Sequence, residues 1–428
     1  MTPFRISKLE INNIGPFGNL VLDFPEKPVA MSDKAEIHIL TGENGTGKTT
    51  VLESLALMLG QHLPASIPKS RYTNDTSNFE VQFNSNSKRK WQTNLDFSQI
   101  VIPNTLTELQ NFWHSNYQNW TTSAFSLAFF AYSGYRRVSQ INVRSIQELT
   151  NHPFENTLDF QNSINAQLIL QWITNSISKE ALAKSQGDSA VAVKYRYTIS
   201  QLEKAISKII NQPIRFFLDY EPINVNIDLE GKRLDFNQLP DGLKSIISWL
   251  SDLLMRMDRV KWVNDTPVFE RNFILFLDEI EVHLHPAWQR KILPAVQSLF
   301  PNAQIFVSTH SPFVVGSVDG AWIHKLMKPN GDTKLAGPPI LSEDSRSTSY
   351  WLREIFDINE EFGQATQQDL DKFYALRNAL LVNGTPQQRA DFQTVTNALL
   401  SQNSQELDTI IGFELRQLNK RIAQPMLI

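Results

Sequence analysis

The chain has 428 residues, a net charge of −4 at pH 7, 41% apolar residues and 20% charged residues. This composition is typical of a globular protein, and a length beyond about 300 residues predicts more than one compact core. A charge so near balance predicts no general affinity for nucleic acids or membranes, so any such surface must be a local patch. Cysteine is absent, which excludes disulfides and thiol catalysis.

Hydropathy predicts a cytoplasmic protein. No apolar segment approaches the roughly 20 residues that span a bilayer. The first residues, MTPFRISKLEINNIG, lack the basic start and the apolar core of a signal peptide. We therefore expect no membrane association.

The first 40 residues predict three strands. Residues 4–24 alternate apolar and polar side chains and are interrupted by Gly15-Pro16-Phe17-Gly18, which predicts a hairpin with one buried face. A third strand, 37–40, follows a polar loop and runs directly into TGENGTGKTT, residues 41–50.

This glycine-rich sequence matches G-x-x-x-x-G-K-[ST], with a strand before it and a helix after it. In such loops the glycines let backbone N–H groups surround phosphates, and the helix adds the positive end of its dipole. Lys48 is predicted to reach the β- and γ-phosphates, and the Thr49 hydroxyl to ligate Mg²⁺. A non-functional loop is the alternative. The predicted nucleotide-binding residues of the loop are Gly42, Glu43, Asn44, Gly45, Thr46, Gly47, Lys48, Thr49 and Thr50.

The segment 63–143 is predicted to be a β-rich insertion with a returning strand. Alternating apolar residues over 79–83 predict a further hairpin. The basic triplet Lys88–Lys90 favours a solvated turn, with a nucleic-acid contact as the alternative. Residues 124–132 have the composition of a buried strand. Ser133–Arg137 follows it as either a phosphate or partner contact or a surface turn.

Helical spacing of apolar residues predicts a helical insertion over 144–212, with a break at 185–189 that suggests two arms joined by a turn. Strands at 215–220 and 223–227 follow. Asp241 then stands where it can cap a helix.

An unbroken apolar run, 273–277, predicts a strand buried on both faces. It ends in Asp278 and Glu279, at the strand end where open α/β sheets bind ligands. In nucleotide hydrolases the first such carboxylate holds Mg²⁺ and the second orients or deprotonates water. The alternative is a buried strand that exits into solvent. A second buried strand, 305–307, ends close to His310.

The order of these motifs resembles the ATP-binding-cassette ATPases over residues 4–326. The resemblance implies an α/β head with a mixed P-loop sheet, an antiparallel β subdomain, a helical insertion and a helical C-terminal lobe. It also implies that ATP and Mg²⁺ lie between two heads in a head-to-tail homodimer or a higher oligomer. The predicted segments are 1–62, 63–143, 144–212, 213–344 and 345–428.

The resemblance assigns roles by position. The loop Gly42–Thr50 corresponds to Walker A, and Asp278 corresponds to the Walker B carboxylate that acts on Mg²⁺ with Thr49. Glu279 corresponds to the catalytic base. His310 corresponds to the switch histidine at the γ-phosphate, and Lys48 completes the catalytic set.

The signature position, Leu239–Leu243, departs from the family pattern. It reads LPDG where transporters have LSGG, so Pro240 lacks a hydroxyl and Asp241 adds a negative charge. Asp241 and Gly242 are still predicted to bind the nucleotide of the partner head. A Q-loop glutamine is not evident; Ser133–Arg137 occupies its place, with Gln140 beyond it.

The segment Ile280–Pro286 corresponds to the D-loop. His283 and His285 could form a metal site with Glu281, but no further ligands stand at zinc-like spacing, which favours an interface.

The phrases EIEVHLHPAWQ and FPNAQIFVSTHSP resemble compact bacterial ATPases related to RecF and to the overcoming-lysogenisation family, and above all the PtuA-like ATPases of Septu and retron antiphage systems. That resemblance implies a sensor or scaffold subunit with a separate effector, often an HNH nuclease.

The C-terminal lobe, 345–428, is predicted to be helical, with a capped restart at Gly384-Thr385-Pro386. It lacks the Glu and the DxD arrangement on a strand–helix scaffold that a Toprim nuclease needs, and it is interpreted as a docking or assembly module, with a stabilising cap as the alternative. Two other functions stay open. One is a DNA-repair ATPase similar to RecF and SMC proteins that binds DNA directly through Lys88–Lys90 and Arg416–Arg421. The other is an ATP-bound scaffold that hydrolyses slowly because of LPDG.

Overall fold

The computed structural model describes residues 4–60, 77–84, 87–92, 109, 111–134, 145–161, 164–360 and 362–422. The chain divides into two compact units, Met1–Trp351 and Leu352–Ile428, here called the head and the C-terminal unit. Across the described part of the chain, no helix combines the length and the apolar character needed to cross a membrane. The division into five segments stays a prediction.

The elements have the following bounds. The strands are β1 Ile6–Ile14, β2 Phe17–Asp23, β3 Glu36–Gly42, β4 Asn78–Phe83, β5 Lys88–Gln92, β6 Ala124–Phe125, β7 Ala128–Tyr132, β8 Ile214–Tyr220, β9 Ile223–Leu229, β10 Lys232–Asp235, β11 Lys261–Trp262, β12 Phe273–Leu277, β13 Gln304–Ser308, β14 Trp322–Met327, β15 Lys334–Leu335 and β16 Ile340–Leu341. The α-helices are α1 Lys48–Leu59, α2 Ala166–Ser185, α3 Ser189–Ile210, α4 Asp241–Asp258, α5 Pro286–Leu299, α6 Pro312–Val315, α7 Thr348–Glu354, α8 Gln364–Asn383, α9 Pro386–Leu400 and α10 Gln405–Asn419. A π-helical turn spans Asn111–Tyr117, and short 3₁₀ turns lie at Val29–Met31, Phe236–Gln238, Val263–Asp265, Val268–Glu270 and Pro329–Gly331.

The central sheet of the head has the strand order β15-β14-β3-β13-β12-β7, and β16 pairs with β14. The strands from β14 to β7 are parallel, whereas β15 and β16 run antiparallel to β14. Every residue of β12 is buried, as its apolar sequence predicts. Because parallel strands end at one edge, the last residues of β3, β13, β12 and β7 form a row there. These residues are Gly42, Ser308, Leu277 and Tyr132.

An antiparallel sheet with the order β2-β1-β4-β5 confirms both hairpins that the sequence predicts. Gly15 turns the first hairpin with a φ of +56°, a conformation that glycine adopts without strain. Leu9 and Ile11, at alternate positions on one face of β1, are fully buried. Together with the parallel sheet, this confirms the predicted α/β fold.

The basic triplet Lys88–Lys90 lies in strand β5, so the predicted solvated turn is wrong. Arg89 is only 4% exposed. Its guanidinium donates to the carbonyl oxygens of Met58 and, at 3.0 Å, of Gly60. These are orphan carbonyls at the end of α1. Arg89 is therefore a structural cap of α1. Its guanidinium is bonded to backbone carbonyls, which argues against the alternative that Lys88–Lys90 contacts nucleic acid.

The helical insertion begins later than the sequence predicts, because the described residues 145–161 form turns and no helix. Asn156 there has a φ of +55°, which a helix cannot accommodate. α2 starts where the Asn165 side chain accepts the amides of Gln167 and Leu168. The predicted break at 185–189 is confirmed as the turn between α2 and α3.

The antiparallel sheet β10-β9-β8 follows the two arms and leads into α4.

The C-terminal unit contains α8, α9 and α10. The predicted restart is confirmed: Thr385 caps α9, reciprocally with the side chain of Gln388, and Pro386 is the first helical residue. The core of this unit consists of Leu370, Phe373, Leu380, Phe392, Leu399, Leu407, Ile411 and Leu418.

Candidate functional site

The glycine-rich loop between β3 and α1 has a backbone that only glycine accommodates. Gly42, Gly45 and Gly47 have φ values of +144°, +79° and +87°. A Cβ atom on Gly42 would lie 2.2 Å from the carbonyl oxygen of Leu326, and one on Gly47 would lie 2.4 Å from the ring of Phe17. The glycines therefore let the loop curl tightly in front of α1, and the unpaired N–H groups of a helix N-terminus favour an anion at such a place.

Lys48, the first residue of α1, is only 6% exposed. Its ammonium group donates to the carbonyl oxygens of Gly42 and Glu43, both at 3.0 Å. Burial lowers the pKa of Lys48, and the neighbouring carboxylates of Asp278 and Glu279 oppose that shift. A largely desolvated cation inside a ring of backbone groups is suited to binding an anionic ligand such as a phosphate.

Asp278 follows β12 and contacts Thr49, next to the glycine-rich loop, at the same edge of the sheet. Its carboxylate accepts hydrogen bonds from the hydroxyls of Thr49 and Ser308, and its own amide donates to the Tyr132 carbonyl at 2.9 Å. The aspartate is 7% exposed. A hydroxyl and a carboxylate that converge in this way are oxygen ligands of the kind Mg²⁺ prefers, so these residues fit that ion.

Glu279 has a φ of +45°, which turns the chain sharply after Asp278. Its amide donates to the Ser308 hydroxyl at 2.8 Å. Burial first, and then the charge of Asp278, raises the pKa of Glu279, whereas Lys48 lowers it. A Cβ on Gly134 would lie 2.7 Å from the Cβ of Glu279, so a glycine beside it is needed. A raised pKa is what a general base near neutral pH requires.

His310 lies beyond the end of β13 and lines the same cleft as Lys48, Thr49 and Glu279. Burial first, and then the charge of Lys48, lowers the pKa of His310, whereas Asp278 raises it. This shift favours the neutral imidazole, which can donate one hydrogen bond. The cleft has a volume of about 530 Å³. Its lining residues are Gly15, Pro16, Asn44, Gly45, Gly47, Lys48, Thr49, Thr50, Glu279, Ser308, His310, Lys328 and Gly331.

The structure adds residues that the sequence did not single out. Ser308 joins Asp278 to Glu279, and its only signal was its place at the end of a buried strand. Gly15 and Pro16 come from the first hairpin. Lys328 and Gly331 come from the turn after β14, and no local pattern connects them with the loop.

The predicted signature residues lie elsewhere. Pro240, not Asp241, is the capping residue of α4, so that predicted cap is wrong. The proline fixes the extended backbone that a cap position requires, which moves Asp241 to the first helical position. The Asp241 side chain is 80% exposed and lies 3.8 Å from Lys244. A Cβ on Gly242 would lie 2.5 Å from the carbonyl oxygen of His283. Neither Asp241 nor Gly242 lines the cleft of its own head.

His285, the second histidine after Glu279, has a structural role. His285 Nδ1 accepts the amide of Ala287 and caps α5. The carboxyl group of Glu281 lies against Thr309 and the backbone of His310. Among the residues that the structure describes, no three acidic or histidine side chains gather as a metal site.

The segment in the place of a Q-loop is only partly described. Ser133 and Gly134 follow β7 directly, and Gly134 touches Glu279. Arg136, Arg137 and Gln140 lie outside the described residues.

Residues 37–316 match a family described as "AAA domain, putative AbiEii toxin, Type IV TA system". The chain is also 22% identical to the Retron Ec83 probable ATPase of Escherichia coli, over 83% of this chain and 76% of that protein. It is 23% identical to the Septu protein PtuA of Bacillus thuringiensis, over 72% of each protein. The predicted resemblance to Septu and retron ATPases is confirmed. The solved SMC head domain from Thermotoga maritima is 12% identical, with a TM-score of 0.41 over 78% of this chain and 99% of that chain.

Proposed function

The chain belongs to the AAA-domain family of putative AbiEii toxins of type IV toxin–antitoxin systems, and from that premise we propose that it hydrolyses ATP to ADP and phosphate. One observation carries the proposal. Lys48, Thr49, Glu279 and His310 line a single cleft, and the Thr49 hydroxyl bonds the carboxylate of Asp278, so that residues from three neighbouring strand ends meet there. The relatives named as probable ATPases support the same activity.

We assign the following roles. The glycine-rich loop and Lys48 bind the phosphates, and Thr49 and Asp278 hold Mg²⁺. The bound ion would neutralise charge on the β- and γ-phosphates. Glu279 accepts a proton from the attacking water, and its raised pKa suits that task. His310 donates a hydrogen bond to the γ-phosphate. The remaining loop residues, Gly42 to Thr50, bind phosphate through their backbone.

We infer that two heads sandwich the nucleotide head-to-tail. Asp241 and Gly242 lie outside their own cleft, which supports a role toward the nucleotide of a second copy. The contact of Gly242 with the His283 carbonyl would couple that surface to the segment after Glu279. The amide of Gly242 is the proposed donor, since the Asp241 carboxylate would repel a phosphate.

We further propose that the protein is the sensor or scaffold subunit of an antiphage complex in the cytoplasm, with a separate effector such as an HNH nuclease. The names of the Septu and retron relatives support this assignment. The C-terminal unit is the proposed docking module for that effector.

A slowly hydrolysing ATP-bound scaffold is the second candidate, and the exposed carboxylate of Asp241 favours it. Direct DNA binding is less well supported, because Arg89 is occupied by backbone carbonyls. Steady-state ATP hydrolysis by the purified protein, with and without the protein encoded beside it, distinguishes the candidates. Turnover that depends on Mg²⁺ supports the ATPase, whereas tight ATP binding without turnover supports the scaffold.

A further inference from the structure

Glu281 connects two strand ends beyond the sheet itself. One carboxylate oxygen accepts the Thr309 hydroxyl at 2.8 Å, and the other accepts the His310 amide at 2.5 Å. We propose that Glu281 is the positioning residue of His310 and sets the imidazole against the reacting end of the cleft. This inference rests on the proposed ATPase function.

The hydrogen bonds of the Glu281 carboxyl group come from the chain around His310 and from its own backbone amide. Glu281 is not among the residues that line the cleft, and within the described part of the chain it forms no ion pair. Burial of the carboxyl group raises its pKa, and hydrogen bonds from the amides of His310 and Glu281 and from the Thr309 hydroxyl oppose that shift. A desolvated carboxyl group is destabilising unless it is hydrogen-bonded, and these bonds supply that compensation.

The chain around His310 is held from both sides. The Thr309 amide donates to the Leu40 carbonyl at 3.1 Å, which fixes the segment to the end of β3. The Thr309 hydroxyl also accepts the Ser311 amide at 3.0 Å. Glu281 supplies a further contact, from the segment after Glu279. Removing it takes away the acceptor of the His310 amide, at a residue that lines the cleft.

A small displacement of His310 is enough to slow hydrolysis. A group misplaced by about 1 Å from its reacting partner lowers the rate by about a hundredfold. Positioning acts on turnover, whereas ATP affinity depends on the glycine-rich loop and Lys48. The predicted effect is therefore a loss in kcat with little change in KM.

The test compares Glu281→Ala, Glu281→Gln, His310→Ala and the double variant Glu281→Ala with His310→Ala. We expect kcat of Glu281→Ala to fall about a hundredfold, with KM for ATP within about twofold of the wild type. The carboxamide oxygen of Glu281→Gln can still accept the His310 amide, so most of the activity should return. The double variant should be no slower than the slower single variant, because both changes remove the same contribution.

Hydrogen–deuterium exchange of the nucleotide-free protein tests positioning without ATP hydrolysis. Loss of a hydrogen bond to a charged acceptor should speed exchange of the His310 amide by about tenfold or more in Glu281→Ala. Glu203→Ala is the matched control, since Glu203 also has a pKa raised by burial and accepts the Phe216 amide at 2.8 Å, but it lies in the helical arms. It should leave the His310 amide and kcat unchanged.

Two outcomes overturn the proposal. One is unchanged exchange at His310 in Glu281→Ala. The other is losses in kcat that multiply in the double variant, as they do for independent sites. If the wild type binds ATP and hydrolyses none, the proposed ATPase function fails, and the exchange of the His310 amide then decides the positioning claim alone.

Discussion

The Thr49 hydroxyl donates to both carboxylate oxygens of Asp278, at 3.1 and 3.0 Å, although the two residues are 229 positions apart. The contact joins the glycine-rich loop of β3 to the end of β12, with β13 between them. The two residues therefore lie at opposite ends of the part of the sheet edge that carries the other candidate residues. A cation that displaced this hydrogen bond would find one hydroxyl and one carboxylate already facing each other.

Asp278→Asn should remove the dependence of ATP binding on Mg²⁺. An amide keeps the shape of the side chain and the contact with Thr49 but loses the charge that a divalent cation requires. We expect the affinity gained from Mg²⁺ to fall at least about tenfold, measured by calorimetric ATP titrations with and without the ion. Asp188→Asn is the control, because Asp188 caps α3 and asparagine caps equally well. Magnesium-dependent binding that survives in Asp278→Asn would contradict the assignment.

Glu279→Gln should bind ATP normally and turn it over poorly. Removing a general base lowers rates by at least about a hundredfold, and the unhydrolysed nucleotide should hold two heads together. The measurements are steady-state hydrolysis and the molar mass of the protein with ATP. Glu343→Gln, which alters a half-exposed pair with Arg346, should behave as the wild type. A Glu279→Gln protein with normal turnover would remove Glu279 from its role.

Gly134→Ala should impair hydrolysis without weakening ATP binding. The new Cβ would lie 2.7 Å from the Glu279 Cβ, so one of the two must move. The φ of Gly134 is not in the left-handed region, which leaves displacement of Glu279 as the expected effect. We predict a fall in kcat of at least about tenfold at nearly constant KM. Gly337→Ala introduces a methyl group that meets nothing within 4 Å and is the matched control; equal kcat in both variants would exclude the displacement.

The strands, the glycine-rich loop and the end of β12 could be predicted because each depends on neighbours in the sequence. The apolar run of Phe273–Leu277 allows only a doubly buried strand. The spacing of Gly42, Gly47 and Lys48 defines a loop before a helix. Local patterning also placed Pro386 at the start of a helix.

The roles of Arg89 and Glu281 could not be predicted, because they depend on which distant segments meet. A basic triplet is normally solvated, but the pairing of β5 with β4 turns Arg89 toward the end of α1. The sequence offers Glu281 only as a possible metal ligand or interface residue, because its partners become evident only once β12 and β13 are known to be neighbours. The wrong cap at Asp241 has a local cause: Pro240 takes the cap position and displaces the residue that the pattern favours.

The last prediction concerns acid stability and Glu36 at the start of β3. Burial disfavours its charge, but hydrogen bonds from His38 and Arg5 outweigh burial and lower the pKa of Glu36 from 4.5 to about 2. Because the folded pKa is the lower one, the stabilisation is fully present above pH 4.5 and is lost as the pH falls through 2. Glu36→Gln should therefore lower the free energy of unfolding by about 3 kcal/mol at pH 7 and by about half as much at pH 3. Urea titrations at the two pH values measure the difference. Glu10→Gln, in a partly exposed pair with Lys8, should change it by less than about 1 kcal/mol. A deficit in Glu36→Gln that is equal at both pH values would show that lost packing, not charge, explains the effect.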